Sequence, residues 1–251
     1  MAGRKQKGDA ESAKGPKGNG GCRSGCLKGI FLVYLLAVVF YCAVHVYFIW
    51  QPAGNPDGVT QQVMNAEVAG LKFFPAVQAY PVGHIAGRTE IMEGRSMQAP
   101  LIEERLKLAI ERNYPLTFRE EEINAWLAKR LDISQEGSLA PFAKVRGLWV
   151  DLKQDQIELI IERELKSGQL HVTSLFMGFD RSERGYNITR HACQIGQVRL
   201  PGGFVRLVMP AFENLAMELE DELKPYYHQR IFDVHVEDGK ITLDPRRPDE
   251  R

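Results

Sequence analysis

An unbroken apolar run of 22 residues, Gly29 to Trp50, constrains this chain more than any other feature of its sequence. As a helix, at 1.5 Å per residue, it would reach about 33 Å, slightly more than the roughly 30 Å hydrocarbon core of a bilayer. The run is longer than the apolar stretch of a cleaved signal peptide, and it ends in bulky aromatic residues rather than at a small-residue cleavage site. It therefore predicts one uncleaved transmembrane helix.

The formal net charge of zero conceals an asymmetry around this run. Residues 1–28 contain seven Lys and Arg against two Asp and Glu, a balance of +5, so the remainder carries −5. After the run, the first basic residue is Lys72. Because positive flanks remain in the cytoplasm, this pattern predicts a single-pass protein of the cell (inner) membrane with a cytoplasmic N-terminus. Its C-terminal domain would lie outside the cytoplasm, in the periplasm of a Gram-negative cell.

Composition divides the chain into five segments. Residues 1–28 are predicted to be a disordered basic cytoplasmic tail, and residues 29–50 the transmembrane helix. Residues 51–96 are interrupted by Pro and Gly and are interpreted as a stalk. Residues 97–244 carry regular apolar periodicity and form the predicted extracytoplasmic domain, followed by a loose tail at 245–251.

Helical periodicity opens this domain. A first helix is predicted from near Ala99 to Asn113, and a second from Leu116 to Leu131. The second begins with Thr117 and has Glu120 three residues later, which is the spacing of a capping box. A further long helix is predicted from Gly203 to Lys224, because apolar residues recur there along one side.

Between these helices the pattern changes to the alternation of β-strands. The predicted strands are Phe142–Leu152, Gln156–Leu165, Leu170–Asp180 and Gly185–Val198, and a C-terminal hairpin turns at Asp238-Gly239. The third strand is apolar on both faces between Leu175 and Phe179, so it requires either cover on both sides or an exposed apolar surface with a purpose. The glutamates of the second strand are expected on a solvent-facing side.

The order of these elements predicts an α+β fold. It comprises a curved antiparallel sheet, made of the meander and the C-terminal hairpin, packed by two or three helices and preceded by one transmembrane helix.

The sequence offers no motif of an established catalytic type, such as a Walker loop, a Gly-x-Ser-x-Gly elbow or His-Glu-x-x-His. His191 and Cys193 come nearest, since they would share one strand face, with His171 across the sheet. A nucleophile also needs an orienting group and an oxyanion pocket, and neither is identifiable. We therefore expect a protein that is not an enzyme and that holds no cofactor or metal. The neutral-to-acidic folded part argues against nucleic acid as a partner.

Two segments carry a resemblance to a known group of proteins. The Leu-Thr…Glu-Ile-Asn-Ala segment at Leu116–Ala125 and the Ile-Gly-Gln-Val-Arg-Leu-Pro segment at Ile195–Pro201 flank a strand meander, and an amphipathic helix and an Asp-Gly hairpin follow. Over residues 100–244 this succession resembles small bacterial envelope proteins of the YpmS and YceB type. Those proteins are membrane-tethered extracytoplasmic domains related to the tubular lipid-binding (TULIP) superfamily.

What the resemblance implies agrees with the reading of the residues. A long helix laid along a curved sheet can leave an apolar groove that suits an acyl chain, although the same side chains would also serve an ordinary core. The groove candidates are Trp126, Trp149, Leu175, Phe176, Met177, Phe179, Phe204, Val208 and Phe212.

Two functions remain open at this point. The first is binding or transfer of a lipid or other apolar ligand at the membrane. The alternative is a non-catalytic structural or assembly factor that binds other envelope proteins. The alternative requires an exposed apolar patch on Phe176–Phe179 or on the helix at 203–224.

Overall fold

The computed structural model describes residues 21–80, 101–130, 143–182, 185–213, 231–247 and 249. The chain divides into two compact units, Met1–Val44 and His45–Arg251. Helix α1 runs from Gly21 to Ile49, and its last five residues belong to the second unit. Its part from Leu27 to Ile49 is long and apolar enough to cross a membrane, which confirms the predicted apolar helix. Residues 21–28, expected in the tail, form its first turns, because extending an existing helix costs little.

The second unit is an α+β domain with antiparallel sheets. In chain order its elements are α2 (Gly58–Met64), β1 (Glu67–Val68), β2 (Leu71–Lys72), α3 (Ile102–Glu111), β3 (Leu116–Arg119), α4 (Glu120–Arg130), β4 (Ala143–Lys153), β5 (Gln156–Leu165), β6 (Leu170–Ser182), β7 (Gly185–Ile195), β8 (Val198–Pro201), a 3₁₀ helix (Gly202–Leu207), β9 (Asp233–Glu237) and β10 (Lys240–Asp244).

The predicted meander is confirmed as a five-stranded sheet in the order β4-β5-β6-β7-β8. All neighbouring strands pair antiparallel. The last predicted strand is divided at Gly196, whose backbone takes a positive φ of 55° and turns the chain into β8. Glycine suits this position because a side chain in the left-handed region is disfavoured.

The C-terminal hairpin forms a second sheet, in the order β3-β10-β9. Two expectations are therefore wrong: the hairpin does not extend the meander, and Thr117 does not begin a helix. Leu116 and Phe118 are buried while Thr117 and Arg119 are exposed, so this short stretch follows a two-residue period and pairs with β10.

The cap of α4 occurs two residues later than predicted. The helix begins at Glu120, and the Glu122 carboxylate accepts a hydrogen bond of 2.9 Å from the Arg119 backbone N–H. This is the backward half of a capping box. A capping interaction at the start of this helix was therefore predicted correctly, but it was placed two residues too early.

The helix predicted at 203–224 is only partly within the described residues. Its start is the 3₁₀ helix, and residues 209–213 are α-helical. Pro210 falls in the first turn of this helical stretch, where its missing N–H costs little. The part from 214 to 224 lies outside the described residues.

The main core lies on one face of the meander, which we call the core face and define by Leu148, Ile161 and Leu175. Side chains from α3, α4, the second sheet and the 3₁₀ helix pack with it in one cluster. Burial of this apolar area is the main stabilising contribution to such a fold, at roughly 25 cal/mol per Å².

The opposite face of the meander, defined by Trp149, Ile160 and Val172 and called the second face, is also covered. Ala53 and Tyr80 pack on this face. Val77 forms an antiparallel bridge with Val198 of β8. Both ends of the stretch 51–80, interpreted from its Pro and Gly content as stalk, therefore pack against the sheet. This arrangement supplies the cover on both sides that the apolar third strand required; residues 81–96 of that segment lie outside the described residues.

Candidate functional site

The groove candidates on the core face form one group. Trp126, Leu175, Val208 and Phe212 are buried in the main core cluster. Met177 and Phe179 are partly buried and pack against the same cluster. Along β6, alternate core-face residues thus pass from full burial at Leu175 to partial exposure at Phe179.

The remaining candidates lie elsewhere. Trp149 belongs to the cluster on the second face, and the guanidinium of Arg199 lies 4.2 Å from the ring centroid of Phe176. Phe204, on the 3₁₀ helix, is exposed. Because successive residues of a strand point to opposite faces, Leu175 and Phe176 do not line the same space. The nine candidates therefore do not form a single groove lining.

A polar layer covers part of the second face. The Tyr80 hydroxyl donates a hydrogen bond of 3.0 Å to Glu158 Oε1, and both Glu158 and Glu162 are buried. Burial, and then the Glu158 carboxylate, raises the pKa of Tyr80, so the hydroxyl keeps its proton and acts as donor. The expectation that these glutamates face solvent is wrong, because the segment ending at Tyr80 covers them.

The end of helix α1 is held by the turn between β7 and β8. Phe48 is buried, and its carbonyl oxygen accepts a hydrogen bond of 3.0 Å from the Gln197 N–H. The Gln197 side-chain amide donates to the Pro52 carbonyl at 3.1 Å, and its oxygen accepts from the Thr60 hydroxyl at 3.0 Å. A Cβ atom at Gly196 would lie 2.3 Å from the Ile49 oxygen, so only glycine allows this approach.

His171 contributes a further contact to the same place. Its Nε2 lies 2.8 Å from the Ile49 carbonyl oxygen. Burial, reinforced by the nearby Arg163 charge, lowers the pKa of His171 despite this hydrogen bond. A neutral imidazole with its proton on Nε2 donates to the carbonyl. We call His171, Gly196 and Gln197, with residues 48–52, the junction.

Asn124 of α4 closes an edge of the meander. Asn124, fully buried on α4, donates from its amide to the Val150 oxygen at 2.8 Å and accepts from the Val150 N–H at 2.7 Å. The Glu120 carboxylate accepts from the Leu152 N–H at 2.7 Å. These side chains satisfy backbone groups on the outer edge of β4, which would otherwise be open to pairing with another chain.

The structure separates His191 and Cys193, the two residues that come nearest to a catalytic pair in the sequence. Cys193 is fully buried in the core, and burial raises the pKa of its thiol. His191 is exposed and lies 3.1 Å from the Thr189 hydroxyl. The register of β6 and β7 shifts beside them, which interrupts the alternation from which a shared face was predicted. Among the described residues, no group of three or more His, Cys, Asp or Glu could hold a metal ion.

Gly196, Gln197 and Asn124 were missed as individual residues, although they lie in the two segments, Leu116–Ala125 and Ile195–Pro201, that the sequence pattern singled out. The available signal for this turn was Gly196, a glycine that interrupts the predicted strand Gly185–Val198. Comparisons of this chain with protein-family models, with curated proteins and with solved structures each found no match.

Proposed function

We propose that this chain is a single-pass membrane protein whose extracytoplasmic domain binds or transfers a lipid or another apolar ligand. The ligand would enter the apolar layer on the core face of the meander, beside Met177, Phe179 and Phe212. Localisation to the cell membrane, with the N-terminus in the cytoplasm, follows in this proposal from the apolar helix and the basic tail.

The observation that carries this proposal is the gradient of burial along β6. Leu175 is buried, whereas Met177 and Phe179 remain partly accessible although they belong to the same apolar layer. A layer that is closed at one end and accessible at the other fits one acyl chain inserted lengthwise. Methionine suits such a position because its flexible thioether adapts to ligands of irregular shape.

The test uses the full chain in phosphatidylcholine vesicles that contain a phospholipid with a photoreactive diazirine in mid-chain. After illumination and trypsin digestion, the adducts are located by mass spectrometry. We expect labelling of the peptide 167–181, which contains β6 residues Leu175 to Phe179, in addition to labelling of the membrane helix.

Two variants sharpen this test. Met177→Trp fills the accessible end of the layer and should reduce labelling of peptide 167–181 at least fivefold. Phe204→Ala, at an exposed apolar position, should leave it unchanged. Labelling confined to the membrane helix in the unmodified protein would refute ligand binding by the domain.

One observation favours the alternative, a structural or assembly factor that binds other envelope proteins. Phe204 and Leu207 are both exposed on the 3₁₀ helix, at the start of the region where this alternative requires an apolar patch. A photo-crosslinking amino acid at Leu207 should then give a discrete protein adduct in cells, and one at exposed Ile188 should not. Equal or absent crosslinking at both positions would count against this alternative.

A further inference from the structure

The hairpin formed by β1 and β2 exposes apolar side chains although it is small. Val68, Leu71 and Phe73 are 59%, 74% and 53% exposed within six residues of sequence. Ala69 and Gly70 form its turn with positive φ values of 53° and 80°, as in the tight turns that connect two strands. The Phe73 N–H closes the hairpin with a 2.9 Å hydrogen bond to the Ala66 carbonyl. The hairpin thus holds apolar residues in water-facing positions that its own folding does not require.

A ring contact places Phe74, two residues after β2, beside the last turns of helix α1. The centroids of the Phe74 and His45 rings are 5.7 Å apart, and both residues belong to the second compact unit. His45 lies four residues before Ile49, the last residue of α1, or about 6 Å before the helix end. Phe74 is therefore level with residues that lie inside the apolar stretch Leu27–Ile49.

We propose that the β1–β2 hairpin is a second membrane contact, which inserts Val68, Leu71 and Phe73 into the outer leaflet beside the end of the transmembrane helix. The exposed side chains of the hairpin contact lipid rather than protein, because the hairpin adjoins a segment whose composition already assigns it to the bilayer. Apolar surfaces of interfacial elements typically enter about 5–10 Å into the boundary between headgroups and acyl chains, which matches the level of His45.

The charges of the hairpin fit this location. Lys72 is exposed and pairs in register with Glu67, beside the apolar pair Val68 and Leu71. A lysine at this level can bury its methylene groups in the acyl region while its ammonium reaches lipid phosphates. Exposed Trp50, one residue after the helix, marks the same interface.

This inference rests on the membrane span and not on a ligand in the core face. It makes residues 66–74 an element that would restrict rotation of the domain about its single anchor. The two proposals can therefore fail independently of each other.

The test uses the full chain in phosphatidylcholine vesicles that carry bromine atoms at carbons 6 and 7 of one acyl chain. An environment-sensitive fluorescent amino acid replaces Leu71 in one variant, Val46 in a second and Ile188 in a third. Val46 lies in the membrane helix and reports insertion of the anchor. Ile188 is a matched exposed strand residue, seven positions before Ile195 and so about 23 Å along β7 from the junction.

We expect bromine to quench the probe at positions 46 and 71 at least twofold and to leave position 188 unquenched. Quenching at 46 with none at 71 would overturn the hairpin proposal while leaving the anchor in place. Absence of quenching at 46 would overturn both the anchor and the hairpin contact. Circular dichroism of each variant verifies that the fold is retained.

Discussion

The Asn124 side chain takes the place of a neighbouring strand at the edge of the meander. Its amide satisfies both the N–H and the carbonyl of Val150, and it is fully buried. A buried polar group that loses its partner costs about 1–3 kcal/mol. Asn124 therefore contributes to stability chiefly by preventing two such losses on β4.

Replacement of Asn124 by Ala is expected to lower the free energy of unfolding by about 3 kcal/mol, because both Val150 groups lose their partner. Glu121→Ala, at an exposed position on the same helix, should change it by less than about 0.5 kcal/mol. Chemical unfolding in detergent, followed by the fluorescence of buried Trp126 and Trp149, measures both variants. Equal stability of the two variants would show that the edge of β4 does not depend on Asn124.

The buried His171 side chain predicts a pH dependence of stability. Its pKa is lowered in the folded state, so below the ordinary value of about 6.5 the unfolded chain binds a proton that the folded chain does not. The contribution of neutral His171 to the free energy of unfolding is therefore fully present above about pH 6.5. It decreases as the pH falls from there toward the lowered pKa of the folded state.

His171→Gln, which retains a side-chain N–H donor without titrating, should remove this part of the acid sensitivity. The melting temperature, measured between pH 7.5 and pH 5, should decline less in the variant than in the wild-type protein. His235→Gln, at an exposed position, serves as the control and should keep the wild-type slope. A parallel decline in the His171→Gln variant would assign the sensitivity to other groups.

At the scale of secondary-structure elements, the meander was predictable from its strand pattern and the turn-like residues between its strands, and the alternation of apolar and polar residues is clearest in β5. The boundaries of β5 agree with the predicted Gln156–Leu165. β3 was not predictable, because four residues carry little periodicity and their strand character depends on pairing with β10, more than 100 residues away. The residues around Thr117 have local capping and helical preferences, but the non-local pairing with β10 determines their structure.

The packing of residues 51–80 escaped prediction for a different reason. Its contacts with the sheet are made largely by backbone groups and by single side chains, such as the bridge at Val77 and the bond from Tyr80 to Glu158. Such contacts leave no period in the sequence, whereas Pro and Gly suggest a linker. The two-sided apolar character of β6 was the signal that a cover existed, but it did not identify the covering segment.

The junction gives a prediction about how the end of α1 is held. Gly196→Ala should lower the free energy of unfolding by about 3 kcal/mol, because a positive φ disfavours alanine and the added Cβ would meet the Ile49 and Gln51 oxygens. Gly168→Ala is the matched control, with a φ of 78° and nothing within 4 Å of the added atom. The control should lower the free energy of unfolding by about 1 kcal/mol, which is the cost of the positive φ alone.

Unfolding in detergent again measures the difference between these glycine variants. A loss at Gly196 no greater than that at Gly168 would mean that residues 49–51 do not approach the turn between β7 and β8 closely. A greater loss would establish that the turn requires glycine for this contact as well as for its backbone conformation.

At the scale of the whole molecule, composition identified the long apolar helix α1, whereas the candidate site was predictable only as a set of apolar residues. Periodicity assigns a residue to a face, yet it does not distinguish a core from a groove. Strand alternation separates Leu175 from Phe176, whereas the cluster that encloses Trp149 depends on Ala53 and Tyr80 of the covering segment. Partial exposure, at Met177 and Phe179, is a property of the assembled layers and is absent from the sequence pattern.

The orientation of the chain in the membrane is the last prediction, and both functional proposals depend on it. Basic residues within about 15–20 positions of a span determine which side remains in the cytoplasm. Lys14, Lys17, Arg23 and Lys28 occupy that window, and no basic residue follows the span before Lys72. Alkaline phosphatase fused after Arg251 in a bacterial host should therefore be active, because this reporter needs disulfides that form outside the cytoplasm.

Changing these four basic residues to Gln should reduce the phosphatase activity per molecule, since the charge difference across the span is then largely removed. Changing Arg4 and Lys5 to Gln removes charge outside the window and should leave the activity unchanged. If alkaline phosphatase fused to the unmodified chain is inactive and a reporter that works only in the cytoplasm is active, the orientation is opposite to the one predicted. The hairpin at 66–74 would then face the cytoplasmic leaflet, and the apolar layer of the domain would have access only to ligands inside the cell.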